Sequence, residues 1–384
     1  GLGDVYKRQV PIRFALTGTP IENGRPEELY SIMQFVDDTV LGRFDLFDQT
    51  FIVRNHFGGV QRYRNLPLFH EKMKKASVRK TQKDPDVSPY LPDTLHLEPI
   101  RVPVGKAKVL YTYISLDLEN LLHEAQELFG TSFSIEAHYG QAYQVGSPAD
   151  EMRGQIMSRI TALRMLCDHP QLLLDSADKF AKKDGEGSEY AFRLKEEGHL
   201  ENFKSTKLEA VVQYVEEHLE VDEKSKVVIF TTYLGMLPLL EEALAKKKIK
   251  STLYSGLMNA KEKEKSKTLF QTSDEVRVLI STDAGGYGVD LPQANLLVNY
   301  DLPWSAGTAV QRNSRIRRAS SQWKSVIIQD FLASNSIEER QYQMLQQKNA
   351  VADAVLDGQG INTKGGVDLT VGSLLSFLQG GNNG

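Results

Sequence analysis

The chain reads as an α/β protein built on a parallel sheet, and two observations predict it. Four short apolar runs in its second half, KVVIF (226–230), VRVLIS (276–281), NLLVNY (295–300) and SVIIQDF (325–331), carry little polar alternation. Helical patterns at 234–247, 259–271 and 307–318 separate them. Apolar strands alternating with helices belong to sheets covered on both faces, which are parallel. Ahead of the first run, TKLEAVVQYVEEHL puts Leu208, Val211, Val212, Val215 and Leu219 on one helical face. Residues 205–345 therefore read as one complete α/β domain.

The first 204 residues are more mixed. In RFALTGTPIEN (13–23), Arg13–Leu16 reads as the end of a buried strand, Thr17–Pro20 as a polar turn and Ile21 onward as a helix entry. Such a strand needs sheet partners, which are expected upstream of this chain. The preceding GLGDVYKRQ (1–9) fits poorly onto that strand and reads as a non-native prefix, with a surface linker as the other reading. PEELYSIMQFV places Leu29, Ile32, Met33 and Val36 on one helical face. Residues 38–78 predict short helices in an insertion, and TLHLEPIRVPV (94–104) alternates like a strand that closes the unit begun at residue 10. A helical protrusion and linker follow over 105–204. It has one helix from 106 to about 129 and a second, EMRGQIMSRITALRMLCDHPQLL, stopped at Asp168-His169-Pro170. Residues 174–204, charged and glycine-containing, read as a flexible linker, and 346–384 as a C-terminal helix and flexible tail.

Composition bounds the function. With 41% hydrophobic and 25% charged residues the chain is of ordinary globular type, and no apolar run is long enough to span a membrane. The single cysteine, Cys167, excludes a disulfide framework and fits a reducing compartment. Eight histidines lack ligand spacing, so no metal site is expected from them. A net charge of −4 gives no global attraction to nucleic acid, although a local basic cleft would suffice.

Ligands of doubly wound sheets gather at the loops leaving the carboxyl ends of strands. Three such loops are unusual here. Ser281-Thr282-Asp283-Ala284-Gly285-Gly286-Tyr287-Gly288-Val289-Asp290 is either a backbone approach to a phosphate or a flexible turn. In WSAGTAVQRNSRIRRASS (304–321), the spacing puts Gln311, Arg315 and Arg318 on one helix face. Like charges there repel unless an anion compensates them, which suits a nucleotide triphosphate; a solvated basic face or an RNA-binding stripe is the alternative. The strand ending in Thr231-Thr232-Tyr233 offers hydroxyls to a backbone phosphate, or caps the next helix.

The ordered set VVIFTTY, YSG, VLISTDAGGYGVDL, NYDLPW, QRNSRIRR and SIEER resembles the second motor lobe of SWI/SNF-like ATPases of helicase superfamily two. Upstream, LTGTPIEN resembles that family's motif III, VRKTQKDPDV…LP its post-insert basic segment and LRMLCDHPQLL its signature helix. The resemblance implies a RecA-like P-loop NTPase motor: a complete second (C-terminal) helicase lobe plus the tail end of the first lobe with helical insertions. It implies ATP and Mg²⁺ as cofactors and double-stranded DNA as partner, to a monomeric motor that displaces DNA-bound proteins. Arg315 and Arg318 then resemble arginine fingers, with Gln311, Gly286, Gly288 and Asp290 as the nucleotide element. Thr231, Thr232, Ser255, Gly256, Ser281 and Thr282 resemble DNA-backbone contacts, and Thr17 and Thr19 would couple the lobes. The family more often has asparagine where Asp290 stands. Lys72, Lys74, Lys75, Arg79 and Lys80 either approach DNA or are merely solvated. In this family Cys167 ends a packed helix, so a buried structural thiol is expected.

No G-x-x-x-x-G-K-[ST] loop and no Asp-Glu-x-His box occurs in the chain. Phosphoryl transfer needs both the lysine and the metal carboxylates, so the chain as given is expected to hydrolyse no ATP. A superfamily-two RNA helicase and a non-catalytic DNA- or partner-binding module are the alternatives. The short C-terminal VDLTVGSLLSFL leans toward a bacterial or phage-host cytoplasm over a nucleus.

Overall fold

A computed structural model describes residues 10, 12–54, 60–135, 146–182, 186–201, 204–283, 288–358 and 369–381. The chain opens with helices α1 (Pro26–Val36) and α2 (Phe44–Phe51), a two-stranded antiparallel hairpin of β1 (Ile52–Arg54) and β2 (Val60–Tyr63), and α3 (Leu66–Ala76). Leu29, Met33, Phe47, Phe51, Phe69 and Met73 bury together as their own core. The insertion is helical as expected, but it also contains the hairpin.

Strands β3 (Asp93–His96) and β4 (Ile100–Val102) follow, then a helical bundle of α4 (Lys108–Phe129), α5 (Pro148–Asp168), α6 (Pro170–Ala181) and α7 (Glu189–Glu196). Between α5 and α6, His169 is extended, as a residue before proline prefers, and its ring Nδ1 accepts the Gln171 N–H. The stretch 174–204, read as a linker, thus contains the end of α6 and all of α7. Tyr190, Ala191 and Leu194 line one face of α7 and bury in the bundle core, leaving the charges outside.

The rest alternates: α8 (Thr206–Val221), β5 (Val227–Thr231), α9 (Met236–Lys246), β6 (Lys250–Tyr254), α10 (Ala260–Thr272), β7 (Val276–Thr282), β8 (Leu296–Asn299), α11 (Ala306–Asn313), β9 (Ser325–Ala333), α12 (Ile337–Asp357) and α13 (Val371–Gly381). One seven-stranded sheet has the order β3-β9-β8-β5-β7-β6, with β4 also pairing β9 and every pair parallel. Successive residues of β5 explain its lack of polar alternation. Val227 and Ile229 face α8 and α9, whereas Val228 and Phe230 bury with Phe270, Leu291 and Ile316. The sheet is covered on both faces.

Two expectations need correction. Strands β3 and β4 pair one after the other along β9, through Ser325–Ile328 and Phe331–Ala333. Residues 93–102 therefore belong to the large sheet and do not close the unit begun at residue 10. Arg13–Leu16, whose sheet partners are expected upstream, has no sheet neighbour among the described residues, with Phe14 83% and Leu16 98% exposed. Residues 371–381 are not a free tail, since Leu374 and Leu375 of α13 bury in the bundle core beside α4; residues 382–384 lie outside the described residues. Between these parts runs α12, whose Val351, Ala354 and Val355 complete the core of the insertion. Gly24 (φ +70°) lies so close to α12 that a Cβ there would sit 2.7 Å from Lys348 Cα.

Candidate functional site

Parallel pairing sets the carboxyl ends of β5, β7 and β8 side by side, with Thr231 opposite Thr282 and Phe230 opposite Asn299. The loops after these strands begin with Thr232, Asp283 and Tyr300-Asp301. One side chain joins all three. Arg312, near the end of α11, is 2% exposed. Its Nη2 donates to Asp283 Oδ2 at 2.8 Å and to Thr232 Oγ1 at 3.2 Å, while Nη1 donates to the Asp301 carbonyl at 2.6 Å and Nε to Asp283 Oδ1. Asp301 in turn accepts the Thr232 N–H at 2.9 Å and the hydroxyls of Thr231 and Thr232. Burial opposes the charge on Asp301, but Arg312 and Lys207 and the two hydroxyls hold its carboxyl below the usual range. Burial likewise opposes the Arg312 cation, and its bonds to Asp283 more than offset that.

The expected DNA-contacting hydroxyls are consequently unequal. Thr231 and Ser281 are fully buried, and their hydroxyls donate to Asp301 and to the Thr282 carbonyl. Their positions at strand ends inside a covered sheet turn them away from solvent. Thr282 is buried too, and its Oγ1 has no partner among the described residues. Ser255 is buried with its N–H on the Met258 sulfur, whereas Gly256 is exposed and Thr232 partly so. Gly288 takes φ +73°, the left-handed region glycine allows, and Gly286 lies outside the described residues.

α11 stops at Asn313, five residues short of its expected end. Beyond it Ile316 buries in the sheet's second core, and the Arg315 carbonyl accepts the Leu291 N–H at 3.0 Å. Gln311, Arg315 and Arg318 therefore do not share one helix face: only Gln311 is helical. Gln311 Nε2 donates to Thr19 Oγ1 at 3.0 Å, and the Thr17 hydroxyl oxygen accepts the Thr19 N–H. Arg315 is partly buried, and Arg318 Nε donates to Asp290 at 2.6 Å, joining two predicted site residues. The start of α11 is held from the same side. Gly307 N–H donates to the Glu22 carbonyl at 2.8 Å, Ser305 Oγ donates to Glu22 Oε1 at 3.1 Å, and a Cβ on Gly307 would lie 2.8 Å from Glu22 Cγ. From the other side Arg317 donates to Gln82 Oε1 at 2.9 Å and to the Pro92 carbonyl at 3.2 Å.

Residues 305–318 are thus gripped by segment 19–22, by segment 82–92 and, through Arg312, by three strand-end loops. Guanidinium groups at Arg315 and Arg318 suit the oxygens of a polyphosphate. No cluster of His, Cys, Asp and Glu able to hold a metal ion occurs among the described residues. Sequence reasoning passed over Arg312, Asp283 and Asp301. The available signal was an arginine inside a short helix and two aspartates, each within two residues of a strand end. Cys167 is buried, as expected, and burial pushes its thiol well above the ordinary value. Arg79 pairs with Asp357 and Lys72 Nζ donates to the Val40 carbonyl, so part of the upstream basic set serves the fold.

Comparison with known proteins matches the family description "SNF2-related domain" to residues 5–172 and "Helicase conserved C-terminal domain" to residues 206–320. The first match begins inside the stretch 1–9 read as a non-native prefix. The chicken (Gallus gallus) "DNA repair and recombination protein RAD54-like" is 27% identical over 90% of this chain and 45% of its own length. The Bacillus subtilis "Putative ATP-dependent helicase/translocase YwqA" is 23% identical over 90% of this chain and 32% of its own length. The chain thus spans less than half the length of these relatives. A solved structure, "Sulfolobus solfataricus SWI2/SNF2 ATPase core in complex with dsDNA", is 23% identical at a TM-score of 0.46, covering 90% of this chain and 62% of that one. No described helix is long and apolar enough to cross a membrane. The chain thus carries a SNF2-related domain followed by a helicase C-terminal domain, the order found in the SNF2-related family.

Proposed function

We propose that this chain is the DNA-tracking part of an ATP-dependent double-stranded DNA translocase. The observation that carries the reading is the placement of residues 305–318. They contact segment 19–22 through Gln311, Ser305 and Gly307, and they contact the strand-end loops through Arg312. A shift of 19–22 against α11 would therefore reach Thr232 and the glycine-containing loop, where a phosphate backbone could be held. ATP, when bound, supplies the free energy of phosphoryl transfer and a polyanion for Arg315 and Arg318 to stabilise. Segment 82–92 keeps the second side of the element in place through Arg317. The names of the relatives, a DNA repair and recombination protein and a putative helicase/translocase, agree with this reading. The cargo displaced, the monomeric state and a bacterial or phage-host cytoplasm belong to the same proposal.

Two assays test it. A labelled DNA duplex should bind the chain without sequence preference, and its affinity should fall steeply with salt. Excess RNA should compete poorly; preferential competition by RNA would favour an RNA helicase. ATP turnover by the 384-residue chain alone should stay at background with or without duplex, because the phosphate loop and acidic box are absent from its sequence. DNA-stimulated turnover by this chain would refute that part.

A further inference from the structure

We infer that Arg312 is a positioning residue: it makes the loops after β5, β7 and β8 one unit with α11, so that occupancy at the loops is felt at Gln311, Arg315 and Arg318. The inference rests on the proposed function for the nature of the occupant and on geometry for the tie itself. Asp283 is the last described residue before the glycine-containing loop, and both its carboxylate oxygens accept from Arg312. The same guanidinium reaches Thr232 in the first loop and the Asp301 carbonyl in the third. Four bonds spread over three loops need a planar fork of donors. A lysine ammonium is a point charge with three donors and cannot span them. Arg312 touches neither a phosphate nor a base in this arrangement. It acts through the groups it holds.

The electrostatics sharpen the assignment. Asp301 is buried within hydrogen-bond reach of Thr231 and Thr232, and its charge is compensated chiefly by Arg312. Asp283 is partly exposed, at 21% of its side chain, and directly follows the end of β7. Arg312 therefore has one fixed carboxylate and one on a loop start. A purely structural arginine would need only the first.

Because Arg312→Ala would remove the main compensation of the buried Asp301 charge, Asp283→Asn and Arg312→Lys are the variants of choice. Hydrogen exchange of the 384-residue chain is followed with and without a DNA duplex. Without duplex, amides of 283–291 should exchange about tenfold faster in Asp283→Asn than in the parent, while 276–282 stays protected. With saturating duplex, exchange over 305–318 should slow in the parent and stay unchanged in both variants. Slowing of 305–318 equal to the parent's in both variants overturns the inference, as does unaltered exchange of 283–291 without duplex. If the parent itself fails to bind duplex, the functional reading fails, and the duplex-free comparison alone decides the tie. Restoration of the parent's behaviour by Arg312→Lys would also overturn it, since that variant keeps the charge and loses the fork.

Discussion

Lys207 and Arg312 are both 2% exposed, and each lies among carboxylates, yet their surroundings differ in kind. Lys207 Nζ donates to Asp168 Oδ1 at 2.8 Å and to Glu338 Oε1 at 2.7 Å, with the Tyr300 ring 5.0 Å away. Its carboxylate partners belong to helix ends, and those ends are themselves tied. The Asp168 carbonyl accepts the hydroxyls of Ser205 and Tyr300, and Glu338 Oε2 accepts the Ala333 N–H. Burial pushes the Asp168 carboxyl well up and opposes the Lys207 cation, which Asp168 and Glu338 nevertheless raise. Arg312, by contrast, holds loop starts at the open end of a sheet. The same chemistry, a cation sealed from water, staples helices together in one place and couples loops in the other. What a buried charge does is decided by the freedom of its partners.

Breaking the staple should have the largest effect. Lys207→Met leaves two buried carboxylates facing each other and is expected to cost roughly 3–5 kcal/mol, read from urea unfolding. A cost below about 1 kcal/mol would mean that the cluster is already neutral or hydrated. Arg312→Lys should cost less stability than Lys207→Met, because a cation remains, and should act mainly on loop exchange. Equal costs for the two would erase the contrast.

An intermediate effect is expected where α11 meets segment 19–22. Gly307→Ala places a methyl against Glu22 and should cost about 1–3 kcal/mol if the contact is rigid. Faster amide exchange confined to 19–24, with unchanged global stability, would instead show that the segment lifts off freely.

The smallest effect concerns an open pair at the sheet edge. Half-exposed His96 Nε2 lies 3.0 Å from Asp330 Oδ2; Asp330 Oδ1 accepts from Asn299 Nδ2 at 2.7 Å, and that amide reaches Asn313 at the end of α11. The hydrogen bond to Asp330 raises His96 above its ordinary 6.5, against burial and with help from Glu98. A raised folded value means that the stabilisation is full below about pH 6.5 and fades as pH rises through the folded value. His96→Asn should therefore lower Tm more at pH 5.5 than at pH 8.5, by an amount worth under about 1 kcal/mol. A gap that widens with pH would contradict the pairing.

The sheet was legible because its strands are apolar on both faces, and only a covered parallel sheet accommodates Val227–Phe230. Partnership was not. The pattern of residues 94–102 marks strands without naming β9 as their neighbour, and β6 at the edge is too polar at Lys250 and Ser251 to stand out. Hidden, too, was the end of α11. The spacing of Gln311, Arg315 and Arg318 fits a helix, but Ile316 is drawn into the core and turns the chain after Asn313. Charge content misled in the same way at 189–196, where a buried stripe lies under a charged surface. At the site, Gln311 and Thr19, assigned separately on the sequence, meet through one hydrogen bond, as do Arg318 and Asp290. Arg312 escaped notice because its partners are far apart in sequence and close only in the folded sheet.

The proposed role of the strand-end loops is to hold a nucleic-acid backbone. It is tested most directly by titrating a labelled DNA duplex with the chain over a range of salt. Binding should be independent of sequence, and the logarithm of the affinity should fall linearly with the logarithm of salt, by about 0.9 for each phosphate neutralised. No binding, or binding indifferent to salt, would contradict it.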